Sequence, residues 1–196
     1  MPARAAPAPP AGRSAETAAR RQRLLDAAAS LAAEGGYDAV QMRDVAARAE
    51  VALGTLYRHY SSKDQLLVAA LAAQASALQR RLALRPARGA APADRVADVL
   101  RRASRALERE PRLTAAMVTA LSSPDPEAAR AKLEVYDVLR AIIAGAVDGD
   151  QVPELDGVLR VLGYVWLAVL GSWVGGLIDG ERMAGDLDSA ARLLLD

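Results

Sequence analysis

The sequence predicts an all-α protein of about nine helices. Three observations carry that prediction. From Thr17 onward, apolar residues recur at i, i+4 and i+7 almost throughout the chain. No stretch pairs the strict apolar–polar alternation of a half-buried strand with the β-branched enrichment that strands favour. Gly- and Pro-containing breaks divide the helical runs at 34–37, 84–94, 122–127, 148–155 and 179–186.

The first fifteen residues, MPARAAPAPPAGRSA, hold four of the ten prolines and have no periodic apolar face. They are expected to form a disordered arm. No continuous apolar core follows Arg4, which argues against a signal peptide. A basic arm can lie in a DNA minor groove, although an inert terminus explains it as well. Helix one rests on two parallel rows, Leu24, Ala28, Leu31 and Leu25, Ala29, Ala32, and ends at the glycines of EGGY. Met42, Val45, Ala46 and Ala49 sustain only a short second helix, 41–48. A third spans 52–59, because Ser61-Ser62-Lys63-Asp64 then offers an N-cap for a long fourth helix through Leu66, Leu67, Ala70 and Leu71. Further helices are expected at 94–109, 113–121, 126–147 and 158–178, with a last one reaching Leu195. The layout divides the chain into an arm (1–15), a three-helix domain (16–63) and a larger helical domain (64–196).

With 196 residues the chain can bury a core without staples. It has no cysteine, which excludes disulfides, thiolate chemistry and sulfur-ligated metals and makes the cytoplasm its natural compartment. The net charge of +1 does not announce nucleic acid, but residues 1–63 carry nine basic and six acidic side chains while the remainder is slightly acidic. Residues 161–178 hold no charge and could be weighed as a membrane span. Arg160 and Asp179 fence the segment tightly, and five of its eighteen residues are Gly or Ser. A helix buried at the centre of a bundle or against a symmetry mate fits better, and no membrane partner is expected.

Enzymatic readings find little support. Nucleophilic catalysis would need a Ser or Thr beside a base, but the only histidine, His59, sits in the short third helix with Arg58 and Lys63 nearby. Asp148-Gly149-Asp150 lacks calcium-loop spacing and reads as a solvated turn. No catalytic residue, metal or cofactor is expected.

Residues 41–63 stand out. Two short helices joined by AEVA have the proportions of a helix-turn-helix, whose second helix enters the major groove of DNA. With Val51, Leu56 and Tyr60 inward, Leu53, Gly54, Tyr57 and Arg58 face outward, flanked by Thr55 and His59. Gly54 costs close to ~1 kcal/mol in a helix relative to Ala, which makes sense where backbone must approach a phosphate or base. Thr55, Tyr57 and His59 can donate to phosphates, Arg43 can reach a phosphate or a guanine, Leu53 can touch a thymine methyl, and Lys63 adds charge at the start of the next helix.

QMRDVAARAEVALGTLYRHYSSKDQLL (41–67) resembles the helix-turn-helix signature of TetR-family transcriptional repressors. The resemblance implies base contacts by Arg43, Leu53, Gly54 and Tyr57, and phosphate contacts by Gln41, Thr55, His59 and Lys63. Two positions depart from the usual pattern: Glu50 stands where the turn normally has Gly, and Ala52 where a Ser or Thr cap is usual. Glu50 must then tolerate an unusual backbone angle, or the turn differs.

The family resemblance further implies a homodimer that reads a near-palindromic double-stranded DNA and releases it on binding an apolar small-molecule effector in the C-terminal domain. Met117, Leu121, Tyr136, Leu139, Trp166, Leu170 and Trp173 are the candidate pocket residues. Gly171, Gly175 and Leu193 are candidates for the dimer interface, the glycines for close helix approach. A closer likeness to one branch of the family, carried by Glu50 and Ala52, implies a sterol-derived or fatty acyl-CoA thioester as effector. Its anionic end would want arginine; Arg101, Arg105 and Arg109 recur every four residues, but interleaved Glu108 and Glu110 make a solvated charged face the simpler reading.

Overall fold

The computed structural model describes residues 11–147 and 152–196, with side chains from Ala15 onward. Its regular structure is all helical: α1 (Ala11–Ala39), α2 (Met42–Arg48), α3 (Leu53–His59), α4 (Lys63–Ala83), α5 (Pro92–Glu108), α6 (Pro111–Ser122), a 3-10 turn (Pro126–Ala128), α7 (Ala129–Ala144), α8 (Leu155–Val174) and α9 (Gly180–Leu195). The expected arm therefore needs correction over 11–15, which open α1. Pro10 is the last of the early prolines, and beyond it nothing prevents the Ala-rich run from joining the helix. The rest of the arm, 1–10, lies outside the described residues, as does the Asp148-Gly149-Asp150 turn.

Glycine stops act where the spacing places them. Gly36 has φ 73°, so α1 breaks at EGGY before one last turn carries Tyr37 toward α4. The expected helix 158–178 also needs correction: α8 ends at Val174, Gly175 caps it, and Gly176 turns left-handed at φ 72°. Gly176 N–H donates to Trp173 O at 3.0 Å and Leu177 N–H to Ser172 O at 2.9 Å, a glycine-terminated helix end.

The three-helix head buries Leu24, Leu25, Ala28, Val45, Leu56 and Tyr60 against Leu66 and Leu67 of α4. In the larger part α4 packs between α6 and α7, α5 lies along α9, and Leu100, Met117, Ile143, Leu162, Trp166 and Leu187 form the interior. Truncating one such Leu or Ile to Ala costs on the order of 2–5 kcal/mol. Ion pairs Arg101–Asp188 (3.6 Å) and Arg192–Asp94 (3.1 Å) stitch α5 to α9.

Helix α8 is long and apolar enough to cross a membrane by length and composition alone. Within the chain it buries one face, Leu159, Leu162, Gly163, Trp166 and Leu170, and leaves Val161 and Tyr164 exposed. Leu177 beyond it and Leu193 on α9 are bare as well.

Candidate nucleic-acid interface and ligand cavity

The α2–α3 turn is built around Glu50, whose φ of 53° is left-handed. Glu50 N–H donates to Ala47 O (3.2 Å) and Val51 N–H to Ala46 O (2.9 Å), closing the end of α2. Arg23 of α1 steadies the same turn, its Nε donating to Ala49 O at 3.2 Å. Ala52 caps α3 without a side-chain bond, as its missing hydroxyl requires. One face of α3 is sunk: Leu56 is fully buried and Tyr60, 4 % exposed, accepts from Arg21 Nε at 2.9 Å.

The other face is free. Gly54 and Arg58 are exposed, Tyr57 is 50 % exposed, and Leu53, Thr55 and His59 are half-buried at its margins. A Cβ on Gly54 would meet nothing within 4 Å, so packing within the chain does not require glycine there. Gln41, Arg43, Leu53 and Tyr57 border a single cleft of about 440 Å³, together with Met42 and Asp44. Four of the expected contact residues are thus brought together, and Asp44 joins them without having been singled out by its sequence context. Gln41 Nε2 donates to Asp38 O at 2.9 Å, and Arg58 Nη2 to Thr55 Oγ1 at 2.7 Å. His59 lies apart from the cleft, bordering a groove with Arg21, Tyr60 and Arg130. Lys63 opens α4 with Nζ 3.7 Å from the Tyr37 ring centroid and 3.3 Å from Tyr37 O.

Behind this head lies a polar junction that long-range folding alone assembles. Asp64, in the first turn of α4, accepts from Tyr37 Oη of α1 and from Ser123 Oγ beyond α6, each at 2.5 Å. Ser62, the N-cap of α4, accepts from Gln65 N–H at 3.0 Å and donates to Asp125. Lys132 donates to Ser123 O, and Arg112 Nη1 to Glu34 O at 2.9 Å. Burial and then the bond to Asp64 push the Tyr37 hydroxyl up to about 12. The Ser62 hydrogen bond, ahead of the Glu127 N–H, holds Asp125 below its ordinary value. The first turn of α4 is therefore fastened both to α1 and to the α6–α7 connection.

A cavity of about 280 Å³ opens between α4, α5, α6, α7 and α8. Met117, Leu121, Leu139, Trp166 and Leu170 border it; Tyr136 and Trp173 do not, a correction to the expected lining. Tyr136 is 38 % exposed on the outer face of α7, and Trp173 lies near the end of α8. The wall that local reading missed comes from α4: Leu71, Gln74, Leu78 and Arg81. Arg109 and Glu110 stand at the same cavity, whereas Arg101 pairs with Asp188. Two four-residue steps along a helix turn the direction by about 80°, so an every-fourth arginine row need not share one face. Among the candidate interface residues, Leu193 is 85 % exposed and Gly171 half-buried. Gly175, the C-cap of α8, is exposed one turn beyond Gly171, to whose carbonyl its N–H donates at 2.9 Å. Among the described residues no cluster of three His, Asp or Glu side chains is suited to hold a metal ion.

Two family patterns match the chain: "Bacterial regulatory proteins, tetR family" over residues 24–70, and "Tetracyclin repressor-like, C-terminal domain" over 89–194. The chain is 40 % identical over 177 residues to the HTH-type transcriptional repressor KstR of Rhodococcus jostii (strain RHA1), covering 90 % of this chain and 82 % of that one. A TetR transcriptional regulator from Rhodococcus sp. RHA1 superposes with a TM-score of 0.84 at 35 % identity, over 92 % of this chain and 97 % of that one. The fold is shared more distantly, at 24 % identity and TM-score 0.66, by the TetR-family repressor FadR of Thermus thermophilus, solved with lauroyl-CoA, over 89 % of this chain and 93 % of that one.

Proposed function

Because this chain belongs to the TetR family of DNA-binding transcriptional repressors, we propose that it works as a homodimer on a near-palindromic operator and lets go when an apolar effector fills the C-terminal cavity. The observation that carries the DNA half of this reading is the two-faced α3, with Leu56 and Tyr60 sunk and Gly54, Tyr57 and Arg58 free. Arg43, Leu53, Gly54 and Tyr57 meet base edges, and Gln41, Thr55, Arg58, His59 and Lys63 grip the backbone. The unburied face of α8, continued by Leu193 of α9, packs against the same face of a second copy. The two heads then address half-sites about one helical turn, roughly 34–36 Å, apart or a multiple of it.

The effector half rests on a largely apolar cavity with Arg81 and Arg109 at its border, a pairing suited to a long apolar body with an anionic end. A fatty acyl-CoA or sterol-derived CoA thioester meets that description, and the acyl-CoA held by distant FadR points to the same class. Because α6 supplies one cavity wall and leads directly to Ser123 and Asp125, a ligand that prefers one α6 position shifts how α4 holds the heads. It lowers operator affinity by no more than its preference between the two arrangements.

Gel-shift titration with a near-palindromic duplex selected by this protein from a random DNA pool tests both halves. A steep fall of affinity with log salt is expected, as is dissociation on adding a long-chain acyl-CoA. A flat salt response together with retained thioester binding would instead favour a helical carrier that does not act on DNA.

A further inference from the structure

The cavity wall contains a donor that the protein leaves unanswered. Trp166 of α8 is 2 % exposed and borders the cavity. Its Nε1 is buried and has no acceptor among the described residues. An indole N–H can only donate, and buried donors are nearly always paired. Of the polar side chains around the cavity, Thr114 already donates to Leu107 O at 2.8 Å, Gln74 is half-buried, and Arg81, Arg109 and Glu110 are exposed. Among the residues that line the cavity, Trp166 is the one with a buried side-chain polar atom, Nε1, that lacks a partner among the described residues. The cavity wall to which it belongs is mostly hydrocarbon, Met117, Leu121, Leu139 and Leu170 among it.

We propose that the effector carries a carbonyl or hydroxyl oxygen on its apolar body that accepts a hydrogen bond from Trp166 Nε1, so that Trp166 sorts oxygenated ligands from plain hydrocarbon chains. A plain chain leaves the N–H as it found it. An oxygen at the right depth is moved from water into a dry wall and regains a partner there, while the same oxygen at any other depth is buried without one. Selectivity therefore follows oxygen position as well as oxygen content. The inference rests on the cavity being the effector site.

The test uses the full-length protein in a Trp173→Phe background, where Trp166 is the sole indole because the chain has two tryptophans. The probes are stearoyl-CoA and its oxo derivatives with the ketone near the thioester, mid-chain or near the tail. Calorimetry reads affinity and fluorescence reads the indole. One ketone position is expected to bind about tenfold tighter than stearoyl-CoA, equivalent to 1.4 kcal/mol, and to shift the Trp166 emission. Trp166→Phe should abolish that preference, so that every ketone isomer binds with the affinity that stearoyl-CoA has for the same variant. The isomer series and the emission shift need no change at Trp166, so they decide the matter even where that variant folds poorly. Ketones that bind no better than stearoyl-CoA at every position overturn the inference while leaving the cavity as effector site, as does a preference that survives Trp166→Phe. Failure of every thioester to bind overturns the reading of the cavity itself, and the inference with it.

Discussion

Tyr57 and Tyr60 are three residues apart and live in opposite surroundings: Tyr57 is 50 % exposed on the free face of α3, while Tyr60 is 4 % exposed with its hydroxyl 2.9 Å from Arg21 Nε. Substituting each therefore separates recognition from folding. Tyr57→Ala is expected to leave the melting temperature nearly unchanged and to weaken operator binding by about 1–3 kcal/mol, in the range of a base-reading contact. Tyr60→Ala should destabilise the fold by about 3–5 kcal/mol, as loss of a buried aromatic does. Thermal melts and gel shifts on both variants make the comparison.

Gly54→Ala offers a sharper separation. Its Cβ meets nothing within 4 Å, so the helix should gain up to about 1 kcal/mol of stability. Operator affinity should nonetheless drop, because the methyl occupies the space where DNA backbone or a base edge approaches. Unchanged affinity in this variant would remove Gly54 from the interface.

Glu50→Gly should stabilise the protein by on the order of 1 kcal/mol, since a non-glycine residue held left-handed is strained and Glu50 sits at φ 53°. Denaturant unfolding measures it. Operator affinity should change little, because the turn keeps its shape.

Lys63→Ala and Arg43→Ala should differ in kind. Removal of a phosphate contact weakens all sequences alike and lowers the salt slope by about 1, whereas removal of a base contact also relaxes specificity. Competition with scrambled DNA across a salt series distinguishes them. Lys63→Ala also loses the seat over the Tyr37 ring, so a modest fall in stability accompanies it.

The junction at Tyr37 predicts an alkaline response. Its hydroxyl titrates near 12 in the folded chain against 10.0 ordinarily. Above pH 10 the unfolded chain has released a proton that the folded one retains, so stability falls as pH rises from about 10 toward 12. The contribution is fully present below pH 10. Tyr37→Phe keeps the ring but removes the titration, and should flatten that part of the stability–pH curve measured by urea unfolding.

Leu193→Glu is expected to yield monomers in sedimentation without loss of helicity, because Leu193 is 85 % exposed within one chain. A dimer that persists in this variant would move the interface elsewhere.

Local patterns carried much of this protein. The i, i+4 rows around Leu24 and Leu25, the glycines at 35 and 36 and the Ser62 cap describe elements whose causes lie within a few residues, so spacing alone exposes them. The two faces of α3 were legible for the same reason: seven residues of helix have only two sides. The unusual backbone angle at Glu50 followed from the family pattern, which has Gly at that point of the turn, and it takes the form of a left-handed φ.

What crosses the chain was not legible. The α4 wall of the cavity, the exclusion of Tyr136 and Trp173, the parting of Arg101 from Arg109, and the joining of Asp64 to both Tyr37 and Ser123 depend on which helix faces which. Periodicity reports that a face is apolar but not what covers it, because the hydrophobic effect is non-directional and any apolar surface of suitable shape satisfies it. The end of α8 shows the same division in a single helix. Its apolar run extends to Ile178, yet the backbone leaves the helix at Gly175 and Gly176, and only the folded chain decides that Trp166 is buried in the interior while Tyr164, two residues away, stays exposed.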